Sequence, residues 1–230
     1  MLKLEDCVVQ NGTFTLSADF TVEQGARVAV IGPSGAGKST LLEAIAGFLQ
    51  VTQGRILWSG QDITAQPPGQ RPVAMLFQED NLFAHLTVAQ NVGLGLRPDL
   101  KLMASDKETV EQALDRVGLG GLEARKPGDL SGGQRSRAAL ARVLVQRRDL
   151  LLLDEPFAAL GPALRAEMLD LVRDLAQETG ATLLMVSHQP EDARRIAGQA
   201  IFVAEGKAHA PQPTDRLLDD PPEALRAYLG

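Results

Sequence analysis

Nine consecutive residues, Gly32-Pro33-Ser34-Gly35-Ala36-Gly37-Lys38-Ser39-Thr40, fit the pattern G-x-x-x-x-G-K-[ST] and follow directly on the apolar run Arg27-Val28-Ala29-Val30-Ile31. Gly32, Gly35 and Gly37 let the backbone approach an anion, so that successive N–H groups and the start of the next helix face phosphate oxygens. Lys38 adds a full positive charge. Ser39 offers a hydroxyl to Mg²⁺, which keeps most of its water and needs only one or two protein ligands beside the phosphates. A flexible Gly/Ser loop is the alternative. The strand-like run before the motif and Leu41-Leu42-Glu43-Ala44-Ile45-Ala46-Gly47 after it supply the strand–loop–helix context that a phosphate site requires. The expected ligand is a nucleoside triphosphate.

A second group of residues has the chemistry to act on such a ligand. Leu150-Leu151-Leu152-Leu153 is suited to a central parallel strand buried on both faces, and it ends on two carboxylates, Asp154 and Glu155. Ligands of open α/β sheets gather at the carboxyl ends of the strands. There Asp154 is placed to hold the Mg²⁺ hydration shell, and Glu155 to orient and deprotonate an attacking water. Thr182 to Ser187 is another buried strand, and it delivers His188, alone of the three histidines, to the same edge. A lone histidine is more often structural. Gln78, at the end of the short run Arg71 to Phe77, carries nothing by itself. Leu130-Ser131-Gly132-Gly133-Gln134-Arg135 precedes a helical run from Ser136 to about Gln146. Ser131 and the two glycines thus stand where a helix begins, as an ordinary N-cap or as a second anion site.

The elements that must position these residues are legible from periodicity and turn chemistry. Asn11-Gly12, between Val8-Val9-Gln10 and Thr13-Phe14-Thr15-Leu16, predicts an antiparallel hairpin, and Asp19 to Glu23 continues that sheet. Gly54 to Gly60 predicts a further strand, in which Trp58 packs. From Glu79 to about Arg148 the pattern turns helical: Ser105 and Glu108 form a capping box, and Val110, Ala113, Leu114 and Val117 make an apolar stripe ending at Gly118. Pro162 starts a helix whose face Leu164, Met168, Leu171, Val172 and Leu175 is core, and Gly180 stops it. Ala200 to Ala204 and Lys207 to His209 flank Glu205-Gly206, predicting a hairpin at the sheet edge. After Pro211, Pro213, Pro221 and Pro222 a last short helix runs through Ala227.

Composition narrows the classes. At 230 residues and 44% hydrophobic the chain can bury a large core as one α/β domain. A net charge of −6 argues against a chain whose main work is neutralising nucleic-acid phosphates. Cys7 is the only cysteine, which leaves no internal disulfide and suits a reducing compartment. Met1 to Asp6 lacks a signal-peptide run, and no stretch approaches the roughly 18 apolar residues of a membrane span. The expectation is a cytosolic chain, held at a membrane only by a partner.

Taken in order and spacing, the phosphate loop, Gln78, Leu130 to Gln134, Leu150 to Glu155 and His188 resemble the ATP-binding cassette ATPases over essentially the whole length. The resemblance implies a P-loop NTPase core, with an N-terminal antiparallel β subdomain and an inserted α-helical subdomain. Residues 1 to about 80 and 149–230 would form the nucleotide-binding core, and 81–148 the helical insertion carrying Leu-Ser-Gly-Gly-Gln. It implies a head-to-tail homodimer clamping two ATP molecules with Mg²⁺. Gly32, Pro33, Ser34, Gly35, Ala36, Gly37, Lys38, Ser39 and Thr40 would then bind ATP, and Ser39, Gln78 and Asp154 the metal. Ser131, Gly132, Gly133 and Gln134 would contact the γ-phosphate from the opposite copy. Glu155, as general base, His188 and Gln78 would be the catalytic residues.

More narrowly, Arg71 through Val88, including Gln78-Glu79-Asp80-Asn81-Leu82-Phe83, is similar to the ATPase subunits of bacterial importers. That implies a peripheral place on the cytoplasmic face of the inner membrane, a permease partner and, indirectly, a periplasmic substrate-binding protein. Phe83, Leu86 and Val88 would line a groove for the permease or else be subdomain core. Gly47-Phe48-Leu49, Asn91 through Leu102 and Thr182 to His188 are similar to the thiamine-importing members, implying thiamine or its phosphate esters as cargo, with iron, sulfate or polyamine importers as alternatives. A DNA-directed cassette would need a long coiled coil before Ser131, a ribosome-acting one usually two cassettes, and a small-molecule kinase would not need Leu130 to Gln134. Two positions depart from the family. Asn11 stands about where an aromatic residue stacks on adenine, so ATP is expected either to bind about tenfold more weakly or to lean on Phe14 instead, and Gly161 replaces a usual aspartate, which implies a reduced or less cooperative ATPase.

Overall fold

The computed structural model describes residues 1–78 and 81–229, with side chains through Arg226. The antiparallel strands β1 (Leu2–Asn11) and β2 (Phe14–Val22) open the chain, with Asn11 paired to Phe14. The turn is therefore Gly12-Thr13, one residue later than Asn11-Gly12. Gly12 takes φ 61° at the first turn position, so a single glycine makes the hairpin and Asn11 stays in the ladder. There follow β3 (Arg27–Ile31), α1 (Lys38–Ala46), β4 (Val51–Trp58), β5 (Gln61–Asp62) and β6 (Val73–Leu76). Helices α2 (Val88–Gly93), α3 (Ala104–Arg116) and α4 (Gly132–Leu144) come before β7 (Leu150–Asp154). The chain then alternates α5 (Pro162–Thr179), β8 (Thr182–Val186), α6 (Pro190–Ile196) and β9 (Gln199–Ala204), and ends with β10 (Lys207–Ala208), β11 (Gln212–Pro213), α7 (Thr214–Asp219) and α8 (Glu223–Leu229).

The sheet runs β5-β4-β1-β2-β10-β9-β3-β8-β7-β6, with β11 also on β9. Strands β9, β3, β8, β7 and β6 are parallel. Hairpin β9–β10 was expected at an edge and instead lies inside the sheet: β10 pairs antiparallel with β9 and parallel with β2, joining the two halves. Its Ala208 is buried, and Ser17 N–H donates to the carbonyl of the turn residue Gly206 at 2.8 Å.

Two hydrophobic clusters share the parallel strands by alternation. Val28, Val30, Leu150, Leu152, Leu184 and Val186 face α1 through Leu41, Leu42 and Ile45. Their neighbours Ala29, Ile31, Leu151, Leu153, Leu183 and Met185 face the opposite cluster, which holds α4 and α5. This is the period of two that a strand buried on both faces must obey. Buried Arg71 locks α1 in place, donating at 2.8 Å to the carbonyls of Ala44, Ile45, Thr64 and Gln66. It satisfies acceptors that a helix C-terminus leaves orphaned, with the favourable sign for the dipole.

Helix α3 buries Val110, Ala113 and Leu114 as expected, and Gly118 follows at φ 67°. Its start is two residues earlier than Ser105/Glu108 implied: the Met103 N–H donates to Asp106 Oδ2 at 3.0 Å, so Asp106 closes the first turn. Arg97 also binds that carboxylate, at 3.2 Å, which favours the earlier register. The tail carries two short helices where one was expected. Thr214 starts α7 by donating its buried hydroxyl to the Ala197 carbonyl at 2.8 Å.

Candidate active site

The phosphate loop joins β3 to α1 and needs its glycines for space as well as dihedral angle. Gly32 has φ 153°, and a Cβ there would lie 2.0 Å from the Val203 carbonyl oxygen. Gly37 has φ 104°, and a Cβ there would meet the Phe14 ring at 2.8 Å. Lys38 is only 5% exposed, and its Nζ donates to the carbonyls of Gly32 and Pro33 at 2.9 and 2.8 Å. The ammonium is thus held inside its own loop, and burial lowers its pKa.

Strand parity places Asp154 on the α1 face, in step with Leu150 and Leu152, and its carboxylate lies beside Ser39. Asp154 is 5% exposed, and its Oδ1 is a buried acceptor without a protein partner. Burial raises its pKa, Glu155 adds to the rise, and Ser39 and Lys38 oppose it. A buried carboxylate with an orphaned oxygen, beside a hydroxyl at a phosphate loop, fits the hard oxygen-seeking chemistry of Mg²⁺.

One residue on, Glu155 takes φ 46°, a left-handed conformation that turns its side chain out of the strand alternation. Its Oε1 lies 2.5 Å from His188 Nε2, just past β8. With an ionised carboxylate accepting, that nitrogen carries the proton. Gln78, exposed at the end of β6, and Glu155 and His188 border one open cavity of about 520 Å³, together with Ser34, Gly35, Gly37, Lys38, Ser39 and Thr40. Gly32, Pro33, Ala36 and Asp154 belong to the loop and strand beneath it. Asn11 and Phe14 form its wall on the β1–β2 side. Among the described residues, Phe14 is the one phenylalanine, tyrosine or tryptophan bordering the cavity.

The Ser131 to Gln134 segment stands apart. Helix α4 begins at Gly132, four residues before Ser136, so both glycines lie in its first turn. Ser131 and Gln134 satisfy each other: Gln134 N–H donates to Ser131 Oγ at 3.3 Å and Ser131 N–H to Gln134 Oε1 at 2.9 Å. Ser131 and Gly132 are exposed, and none of the four residues borders the cavity. At Gly133 a Cβ would come within 2.6 Å of Leu164 Cδ2 on α5, so a side chain there would require that leucine to shift. Lys38, Ser39, Gln78, Glu155 and His188 thus meet at one cavity, and the Ser131 to Gln134 motif lies on another surface. Gly161, the N-cap of α5, is exposed and would meet nothing with an added Cβ.

The proposed groove divides. Val88 is fully buried core, Leu86 is half-buried, and Phe83 is 49% exposed, edge-on to His85. Glu79 and Asp80 lie outside the described residues. Buried Asn91 organises this turn, accepting from Phe83 N–H at 2.7 Å and donating to the carbonyls of Phe83, Leu86 and Thr87. The only signal for it in the sequence was the box Thr87-x-x-Gln90, which caps α2.

A phosphate loop beneath a strand-end Asp-Glu pair and a histidine, with a glycine-rich helix start on a separate face, defines an ABC ATPase cassette. The chain belongs to the ABC transporter family, whose model matches residues 16–158. It is 66% identical over 230 residues, the whole of both chains, to the thiamine import ATP-binding protein ThiQ of Ruegeria sp., and 62% identical, again over both full lengths, to the protein of that name in Cereibacter sphaeroides. It matches a nucleotide-free cassette from an ABC transporter with TM-score 0.88 and 26% identity, covering 100% of this chain and 99% of that one. A dimeric cassette in a post-hydrolysis state bound to ADP and Pi matches with TM-score 0.82 and 26% identity, over 93% and 99% of the two chains.

Proposed function

We propose that this chain is the ATP-hydrolysing subunit of a bacterial thiamine importer. The observation that carries the ATPase assignment is the convergence of Lys38, Ser39, Gln78, Glu155 and His188 on one cavity. The cargo rests on the name of full-length relatives at 66% and 62% identity.

The phosphates lie along the loop 32–40, and Lys38 Nζ exchanges its contacts with the Gly32 and Pro33 carbonyls for phosphate oxygens. That exchange replaces neutral acceptors with charged ones, and charge-assisted bonds are worth roughly 1.5–3 kcal/mol each. Ser39, Asp154 and Gln78 hold Mg²⁺, with Asp154 Oδ1 the acceptor that lacks a partner in the protein. Mg²⁺, when bound, neutralises charge on the terminal phosphates. His188 Nε2–H, now on Glu155 at 2.5 Å, turns to a γ-phosphate oxygen. The freed Glu155 carboxylate then accepts a proton from the water that attacks γ-phosphorus in line with the departing ADP oxygen. Phe14 offers the aromatic face for adenine.

Ser131, Gly132, Gly133 and Gln134 contact the γ-phosphate of a second copy, so two chains enclose two ATP molecules. Closure is ATP-dependent because the γ-phosphate bridges both copies. Residues 1 to about 80 and 149–230 act as the nucleotide core, and the segment 81–148 presents Leu130 to Gln134 and the exposed Phe83. Among the described residues no helix is long and apolar enough to cross a membrane, so the membrane step belongs to a permease partner, with Phe83 and Leu86 on the surface it meets. The chain sits peripherally on the cytoplasmic face of the inner membrane, and a periplasmic binding protein supplies the vitamin.

The test is uptake of labelled thiamine at low external concentration by the source cell, comparing the native gene with a chromosomal Glu155→Gln copy. Loss of uptake is the expected result. Unchanged uptake, with the variant protein present, would redirect the cargo to iron, sulfate or polyamines.

A further inference from the structure

Behind the Glu155–His188 contact lies a smaller cavity of about 230 Å³, bordered by Arg165, Ser187, His188, Gln189 and Asp192. Asp192, in the first turn of α6, is only 6% exposed. Its Oδ2 accepts a hydrogen bond from the Ser187 hydroxyl at 2.7 Å and stands 3.1 Å from Arg165 Nε in an ion pair. Burying a carboxylate is costly unless it is both paired and hydrogen-bonded, and here both conditions are met at one oxygen. An acid serving the helix dipole alone needs no such burial, and exposed Glu191 in the same turn already serves it. Asp192 does not border the nucleotide cavity.

The contacts lead to His188 from both sides. Ser187 Oγ also accepts from the Gln189 N–H at 3.1 Å, so one hydroxyl bridges the two chain neighbours of His188. Ser187 N–H donates to the Val30 carbonyl on β3 at 3.3 Å. On the far side, Arg165 belongs to the first turn of α5, and its N–H donates to the Gly161 carbonyl at 2.9 Å. A short run of packed polar contacts therefore joins Gly161, Arg165, Asp192, Ser187 and the backbone that carries the His188 imidazole.

We propose that Asp192, acting through Ser187, is a positioning residue for His188, and that Arg165 ties this position to the Gly161 segment. The inference rests on the assignment of His188 to the γ-phosphate made above. Displacing the first turn of α5 moves Arg165 and with it the anchor of Asp192, so the reach of His188 depends on the Gly161 segment. Sub-ångström placement matters to rate, because a misplacement of about 1 Å can cost on the order of 100-fold.

The chain has three histidines, His85, His188 and His209, so imidazole ¹H–¹⁵N spectra of the intact nucleotide-free protein contain few signals. Ser187→Ala and Asp192→Asn should each move the His188 signals and leave those of His85 and His209 in place. In steady-state assays Ser187→Ala should lower kcat by about 10- to 100-fold with KM for ATP within about twofold. Ser187→Thr, whose extra methyl has the cavity beside it, should restore most of the rate. Asp192→Asn leaves a buried guanidinium unpaired; should it not fold, Ser187→Ala, which removes one hydroxyl, carries the test. Unmoved His188 signals in folded Ser187→Ala overturn the proposal, as does an unchanged kcat. If the His188 signals respond while the native protein hydrolyses no ATP, the ATPase assignment fails and the positioning link stands.

Discussion

The phosphate loop and the Leu130–Arg135 segment are made from the same kinds of residue, glycines and a serine at a helix start, and they end in opposite situations. In the loop, Lys38 is buried and bonded to its own carbonyls, Ser39 meets a buried Asp154, and an open cavity lies in front. In the other segment Ser131 and Gln134 close on each other at the surface, and nothing of their own chain's cavity reaches them. The first region is organised to receive a ligand from solvent. The second gains a ligand only when another surface brings one. In the proposed function that surface is a second copy, so neither region suffices alone.

The largest effect comes from separating the two regions. Lys38→Ala and Ser131→Arg should each remove essentially all ATP turnover. Mixed in equal amounts, they should regain about a quarter of the native rate, because half of the two-fold dimers are mixed and each of those has one unimpaired composite site. No recovery on mixing breaks the comparison, since it puts both defects in one site.

Glu155→Gln should lower kcat by about 100- to 10,000-fold, the usual range for removing a general base. It should also hold an ATP-bound dimer long enough to appear on gel filtration. A variant that stays monomeric with ATP and Mg²⁺ shows that the isolated subunit does not close by itself.

Asn11→Tyr sharpens the description of the cavity wall. Stacking on a base is worth about 1–3 kcal/mol, so ATP should bind roughly 5- to 150-fold more tightly, as titration calorimetry reads directly. An unchanged affinity would mean that Phe14 already fills the role.

Smaller still is the effect of Asp154→Asn on the nucleotide-free protein. Burial raises the folded pKa of Asp154 above its unfolded value, so over that interval the native state binds more protons than the unfolded chain. Stability therefore falls as pH rises through the folded pKa, and above it the ionised group is a net cost. Asp154→Asn should raise the melting temperature in the absence of nucleotide by about 2–4 °C for each kcal/mol recovered, and should abolish the further rise that ATP with Mg²⁺ produces. A lower melting temperature would show that Asp154 is not a strained acid waiting for a cation.

Gly161→Asp is the mildest change. As an N-cap, glycine gives up only a few tenths of a kcal/mol, and a Cβ meets nothing. Its melting temperature should stay within about 1 °C. The ATPase rate or its cooperativity should nonetheless change, because the segment leads to Arg165 and faces the second copy in the proposed dimer.

Much of the fold was legible because local rules and tertiary demand agree. Gly47, Gly118 and Gly180 each end a helix in the left-handed conformation, and four leucines before Asp154 form the doubly buried strand that their pattern implies. The misplaced features share one physical cause. Ser105 and Glu108 satisfy a capping pattern, but Arg97 recruits Asp106 from outside the helix and selects the earlier start. Lys207-Ala208 has the look of an edge hairpin, and only its pairing with β2, nearly 190 residues earlier in the chain, places it inside the sheet. Phe83, Leu86 and Val88 are all apolar, and their different exposures come from Asn91, whose bonds shape the turn around them.

The sequence alone determined the chemistry on offer: a phosphate loop, a strand ending in two acids, a histidine at a strand end and a second glycine-rich helix start. Those are short-range patterns, and nearest-neighbour sterics and periodicity suffice to specify them. Only the tertiary structure decided which of them meet. Alternation along β7 directs Asp154 to Ser39, the left-handed turn at Glu155 brings its carboxylate to His188, and the placement of α4 keeps Ser131 away from both. The Arg165–Asp192–Ser187 contacts belong to that second class. A buried ion pair between distant helices leaves no periodic trace, because its worth arises only once water has been excluded around it.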